Sequence, residues 1–122
     1  MINYNVPLNI HNLNTNLKGN ILDDSTMKEN GFRVNKFMLT QKQWVFFKYF
    51  RVDISITIEI TSDNLSIDVL DESFLQPYDY QEILRKTPDH EVALDIHNRV
   101  QTIMKQLSDC GIISGYVPND YI

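Results

Sequence analysis

Residues 44–61 read WVFFKYFRVDISITIEIT, and the second half of this stretch limits the fold more than any other part of the chain. Val52, Ile54, Ile56, Ile58 and Ile60 alternate with Asp53, Ser55, Thr57 and Glu59. A period of two sends successive side chains to opposite faces of an extended backbone, so the pattern reads as a β-strand with one buried and one wet face. β-Branched residues dominate it, and their restricted side chains suit a pleated surface better than a helix. The first half differs. Trp44, Val45, Phe46, Phe47, Tyr49 and Phe50 put bulky apolar groups on both faces, interrupted only by Lys48. One face continues the core, and the other asks for a second cover. Because strands usually run to about five or six residues, a bend or bulge is expected near residues 48–51.

The remaining pattern builds outward from this stretch. Residues 1–10 alternate Ile2, Tyr4, Val6, Leu8 and Ile10 with polar residues and Pro7, which reads as an edge strand because proline has no N–H for a ladder. Residues 11–24 are rich in asparagine and are expected to be mostly irregular. Ser25 is placed to cap a short helix that Gly31 stops, and residues 32–40 form a strand that reverses through 40–43. Residues 62–64 supply turn chemistry, after which Leu65, Ile67 and Val69 resume the alternation and complete an antiparallel meander.

From residue 71 the period changes. Pro77 suits the first turn of a short helix ending near Lys86, and Thr87 followed by Pro88 suits the start of a longer one. Val92, Ile96, Val100, Ile103 and Leu107 recur at three and four, so this helix is amphipathic to about Cys110, where Gly111 ends it. Residues 112–117 read as a last short strand. The expected fold is therefore α+β, an antiparallel meander of about three to five strands with one long C-terminal helix packed on one face. Residues 1–122 are read as one domain, a length sufficient for a core without a disulfide or metal.

Composition narrows the setting. With 43% hydrophobic and 22% charged residues the chain is ordinary for a globular protein. A single cysteine, Cys110, leaves no internal disulfide and points to a reducing, cytoplasmic location. The first residues lack both a basic start and an apolar run, so no secretory signal is expected, and no membrane partner is expected from so few consecutive apolar residues. The net charge of −5 disfavours nucleic acid as the main partner. Its distribution is uneven. Residues 1–52 hold three acids and seven bases, residues 53–91 hold ten acids and two bases, and residues 92–122 hold three acids and two bases.

Reactive constellations are sparse. His90 and His97 stand seven apart on the long helix, about 10 Å along its axis, too far for one metal ion. Cys110 falls at a helix C-terminus, the wrong end of the dipole for an activated thiolate. Asp68, Asp71, Glu72, Asp79 and Glu82 crowd within fifteen residues but match no EF-hand loop, and their plain reading is a solvated acidic surface. No cofactor and no metal or catalytic residue is assigned.

Residues 74–81, FLQPYDYQ, bring three aromatics and a proline to the junction of strands and helices. Aromatics beside carboxylates suit protein interfaces as well as junction packing. The sequence therefore favours a small intracellular protein-interaction module over an enzyme. Its expected partner surface is Phe47, Tyr49, Arg51, Asp71, Glu72, Phe74, Tyr78, Asp79 and Tyr80. One specific form is an acidic inhibitor or mimic, of the kind mobile elements carry, seated in a basic groove of a partner protein. Two alternatives stay open: a small acid–base enzyme using Asp or Glu with one histidine, and a weak nucleic-acid binder using Lys36, Lys42, Lys48 and Arg51 with Phe47 and Tyr49 as stacking platforms. Exposed strand edges and aromatics add a homodimer to the expectations.

Overall fold

The computed structural model describes residues 17–35, 42–62 and 64–116. In chain order these form β1 (Lys18–Gly19), α1 (Asp24–Glu29), β2 (Phe32–Asn35), β3 (Gln43–Arg51), β4 (Ile54–Thr61), β5 (Asn64–Asp71), β6 (Gln76–Pro77), α2 (Tyr80–Lys86), α3 (Glu91–Asp109) and β7 (Ile113–Ser114). Strands β2 to β6 make a five-stranded antiparallel meander in sequence order, and β1 pairs separately with β7. The α+β meander with a long C-terminal helix is thus present. The edge strand expected in residues 1–10 lies outside the described residues, as do residues 36–40 of the strand expected to follow α1.

Residues 44–61 are two strands, not one. Residues 52–53 fold β3 back on β4, pairing Trp44 with Ile60, Phe46 with Ile58 and Lys48 with Ile56. The register shifts between Tyr49 and Arg51, a bulge at Phe50 within the span where one was expected. Val52, read as the first core position of the alternating strand, is instead almost fully exposed in the turn. The reason is packing: the hairpin sets the large aromatics of one half beside the isoleucines of the other, which a single extended strand cannot do.

The alternation in β4 then does what its period implies. Ile54, Ile56, Ile58 and Ile60 are buried with Ile67 and Val69 of β5 and Trp44, Phe46 and Phe50 of β3. Ala93, Ile96, Val100, Ile103, Met104 and Leu107 of α3 close this core, all from its apolar stripe. Each buried isoleucine contributes about 1.5–3 kcal/mol through area removed from water.

The helix caps differ from the sequence expectation in three places. Asp23, not Ser25, caps α1, its carboxylate accepting from the Thr26 amide at 3.2 Å and from the Thr26 and Ser25 hydroxyls at 2.7 and 2.8 Å. Those bonds, the Thr26 hydroxyl first, hold the Asp23 carboxyl below its ordinary range. Pro77 sits in β6 opposite Leu70, an edge position that tolerates a missing N–H, and Asp79 caps α2 by accepting from the Glu82 amide at 3.1 Å. Thr87 does not start α3. A residue before proline is pushed toward extended backbone, and Thr87 has φ −138° and ψ 83°. The His90 amide closes a turn onto the Thr87 carbonyl at 3.0 Å, and His90 caps α3 through Nδ1, which accepts from the Ala93 amide at 3.2 Å. No helix among the described residues is long and apolar enough to cross a membrane.

The two ends of the alternating pattern give a paired expectation. Ile56→Asp, burying a carboxylate in the closed core, loses its cooperative thermal melt, whereas Val52→Asp in the turn melts within about two degrees of the parent. Circular dichroism melts of both variants check the hairpin assignment.

Candidate functional site

A meander alternates its turns between the two ends of the sheet. The β3–β4 turn at residues 52–53 and the β5–β6 turn at residues 72–75 therefore share one end, and the Glu72 amide joins them by donating to the Asp53 carbonyl at 2.7 Å. Six large hydrophobic side chains are exposed among the described residues, and five of them gather here: Phe47 (50%), Tyr49 (56%), Val52 (96%), Phe74 (74%) and Leu75 (73%). Phe47 and Tyr49 project from the outer face of β3, away from α3, with their rings edge to face at 5.0 Å. Tyr49 pairs with Ser55, whose hydroxyl donates to Glu72 at 2.6 Å, so the aromatic pair and the β5–β6 turn are joined through one hydrogen bond.

Leu75 is the feature that least resembles structural filler. Among the described residues it is the one non-glycine with positive φ, at +52°. That region costs an L residue with a Cβ roughly 1 kcal/mol or more, and Asn, Asp or Gly normally occupies it. A leucine there bears backbone strain while its side chain lies in water. Asp71 shapes the same turn, its carboxylate accepting from the Ser73 and Phe74 amides at 3.0 and 3.3 Å.

Acidic groups border the patch. Among the described residues Asp53, Asp71 and Glu72 form no ion pair. Tyr78 stands half-buried near Arg51, Asp71 and Asp53. Burial raises its hydroxyl pKa, the two carboxylates add to the rise, and Arg51 opposes it. Arg51 reaches to the helix side of the sheet and pairs with Asp95 of α3 at 3.3 Å.

The structure thus brings Phe47, Tyr49, Asp71, Glu72 and Phe74 together and turns the other sequence candidates to different uses. Arg51 is tied to α3, Asp79 is a helix cap, and Tyr78 packs against the core. Tyr80 does not belong to any surface. It is the first residue of α2, fully buried with its ring 6.1 Å from that of His97, and burial drives its hydroxyl pKa well above the ordinary value. The aromatic stretch of β3 divides the same way, since Trp44, Phe46 and Phe50 are core. Val52 and Leu75 were missed. Val52 was hidden by an alternation that continues through it, and Leu75 by a left-handed turn at a residue whose type gives no sign of one.

Other reactive groups do not converge. On the outer face Gln43 Nε2 donates to Glu59 at 2.8 Å, and Ser66 donates to Asp68 at 3.3 Å. Asp68 is pushed up to about 6, by burial first and by the Glu59 charge as well, with the Ser66 bond opposing. His97 is buried on the helix side, so the sheet separates it from both carboxylates. Cys110 donates its thiol to the Leu107 carbonyl at 3.4 Å. Among the described residues no cluster of His, Cys, Asp and Glu could hold a metal ion. Basic and aromatic groups of β3 also part company: Phe47 and Tyr49 face outward, Lys48 pairs on the core face with Ile56, and Arg51 goes to Asp95.

Comparison with protein-family models, curated proteins and solved structures gave no match, so the reading of this site rests on its own residues.

Asp68 yields a pH expectation. A carboxyl raised in the folded state holds a proton that the unfolded chain releases, so its contribution favours folding near pH 4 and is lost as pH rises through about 6. Asp68→Asn should match the parent melt near pH 4 and exceed it at pH 7. Melting curves at several pH values between those limits test this, and a constant difference contradicts it.

Proposed function

We propose that the chain is a protein-interaction module that docks through the paired turns at one end of its sheet. The carrying observation is the gathering there of five exposed large hydrophobic side chains, one of them on strained backbone. Backbone outliers persist where the surrounding structure enforces them, and an exposed apolar side chain on one is better explained by contact with a partner than by folding. Val52, Phe74 and Leu75 supply area at the tip, while Phe47 and Tyr49 extend it along the outer face with few rotatable bonds to immobilise.

The acids set the partner's chemistry. Asp53, Asp71 and Glu72 border the apolar tips without an ion pair among the described residues, so the complementary surface is an apolar pocket with a basic rim. Such charges raise the encounter rate and exclude acidic competitors more than they add affinity. An inhibitor or mimic that occupies a basic groove is the specific form of this reading.

The test compares two immobilised proteins, the parent and a Val52→Ser, Phe74→Ser, Leu75→Asn variant, in capture from the organism that encodes the chain. The variant keeps the fold, and Leu75→Asn by itself raises the melting temperature by a few degrees because Asn tolerates positive φ. Proteins held by the parent at low salt are lost from the variant and are weakened at high salt. An identical captured set from both proteins overturns the reading.

A further inference from the structure

We propose that the chain associates with itself head to tail, the paired turns of one copy seated in a basic groove between α1 and β2 of the next. This rests on the reading of those turns as an interaction surface, and it names the partner.

The groove is a cavity of about 440 Å³ lined by Lys28, Gly31, Phe32, Arg33 and Val34. Its shape depends on Gly31, which has φ +93° and lies so near β3 that a Cβ would stand 2.9 Å from the Phe46 ring. The chain therefore turns sharply from α1 into β2 with the Phe46 ring packed where a side chain on residue 31 would stand. β2 is the edge of the sheet among the described residues, so alternate backbone groups face away from β3. Among the described residues Lys28 and Arg33, like Lys18 and Lys48, form no ion pair, whereas Lys42, Arg51, Arg85, Lys86, Arg99 and Lys105 do.

The two surfaces complement each other in both charge and polarity. The turns present Phe74 and Leu75 among Asp53, Asp71 and Glu72. The groove presents the partly exposed Val34 beside Lys28 and Arg33, over the buried Phe32. Both surfaces belong to one chain, and they lie apart: β2 pairs with β3 at residues 43–46, while the turns sit beyond residue 51. The contact is therefore heterologous. Each contact leaves one groove and one pair of turns free, so the assembly lengthens or closes into a ring instead of stopping at a two-fold dimer.

Sedimentation of the whole chain over a range of concentrations tests this, with two variants. One carries Lys28→Glu and Arg33→Glu, and the other carries Val52→Ser, Phe74→Ser and Leu75→Asn. All substituted residues except Lys28 and Arg33 are turn residues, and thermal melts confirm that both variants are folded. Lys28→Gln with Arg33→Gln repeats the groove test without added repulsion. The parent is expected to gain mass with concentration, and its association constant should fall roughly tenfold or more between about 50 and 500 mM salt. Each variant alone is a monomer. Mixed, they form a one-to-one heterodimer and nothing larger, because only one intact groove meets one intact pair of turns.

A parent that stays monomeric throughout overturns the proposal, and so does a groove variant that still self-associates or a mixture that forms no heterodimer. Those results leave the turn surface itself to be judged by capture of a different protein, so the two readings fail separately.

Discussion

The pairing of β3 with β4 is the contact on which the rest of the structure depends. Trp44 opposite Ile60 and Phe46 opposite Ile58 assemble the densest part of the core in one step between strands adjacent in sequence. The same register dictates what is left out. With Trp44 and Phe46 inward, Phe47 and Tyr49 follow the pleat outward, since a strand offers no third direction. The bulge at Phe50 then returns one more aromatic to the core and frees Arg51 to reach Asp95. A shift of one residue would reverse every one of these assignments and expose the isoleucine face, so the core fixes the outer surface as firmly as it fixes itself.

Elements with a sustained period were legible in the sequence. The isoleucine alternation, the β5 alternation and the stripe of α3 each repeat often enough that burial of one face has a single solution. The boundaries were not. The β3–β4 turn holds neither glycine nor asparagine, and the extra residue at the bulge supplies the reversal that a tight hairpin would draw from positive φ. Val-Asp consequently read as more strand. Caps went astray because several residues near each helix start can accept a hydrogen bond, and chain direction decides among Asp23 and Ser25, or His90 and Thr87. For the candidate site, residue type identified Phe47, Tyr49, Asp71, Glu72 and Phe74. Only the topology could reveal that two distant turns meet, and it removed Tyr80 by burying it on the side of α2 that faces α3.

That burial has its own cost. Among the described residues the Tyr80 hydroxyl, both amide atoms of Gln81 and Nε2 of Gln101 are buried and find no hydrogen-bond partner, and a buried polar group left so costs about 1–3 kcal/mol. The Tyr116 hydroxyl bonds Oε1 of Gln101 beside them. The contact of α2 with α3 thus carries polar groups where Leu84, Ile96 and Val100 would otherwise make an apolar seam. The opposite economy holds at the turns, where apolar groups sit in water and Leu75 sits on strained backbone. Both departures weaken folding, but only the second offers its groups to another molecule.

Charge placement follows from the same topology. The bases of α2 and α3 are spent within a few residues of home, as Arg85 and Lys86 on Glu82, Arg99 on Asp95 and Lys105 on Asp109. Helical spacing makes these pairs almost automatic, and each is worth only a few tenths of a kcal/mol at an exposed site. Turn residues have no such neighbours at three and four. Asp53, Asp71 and Glu72, without an ion pair among the described residues, therefore keep their charge for whatever approaches the end of the sheet.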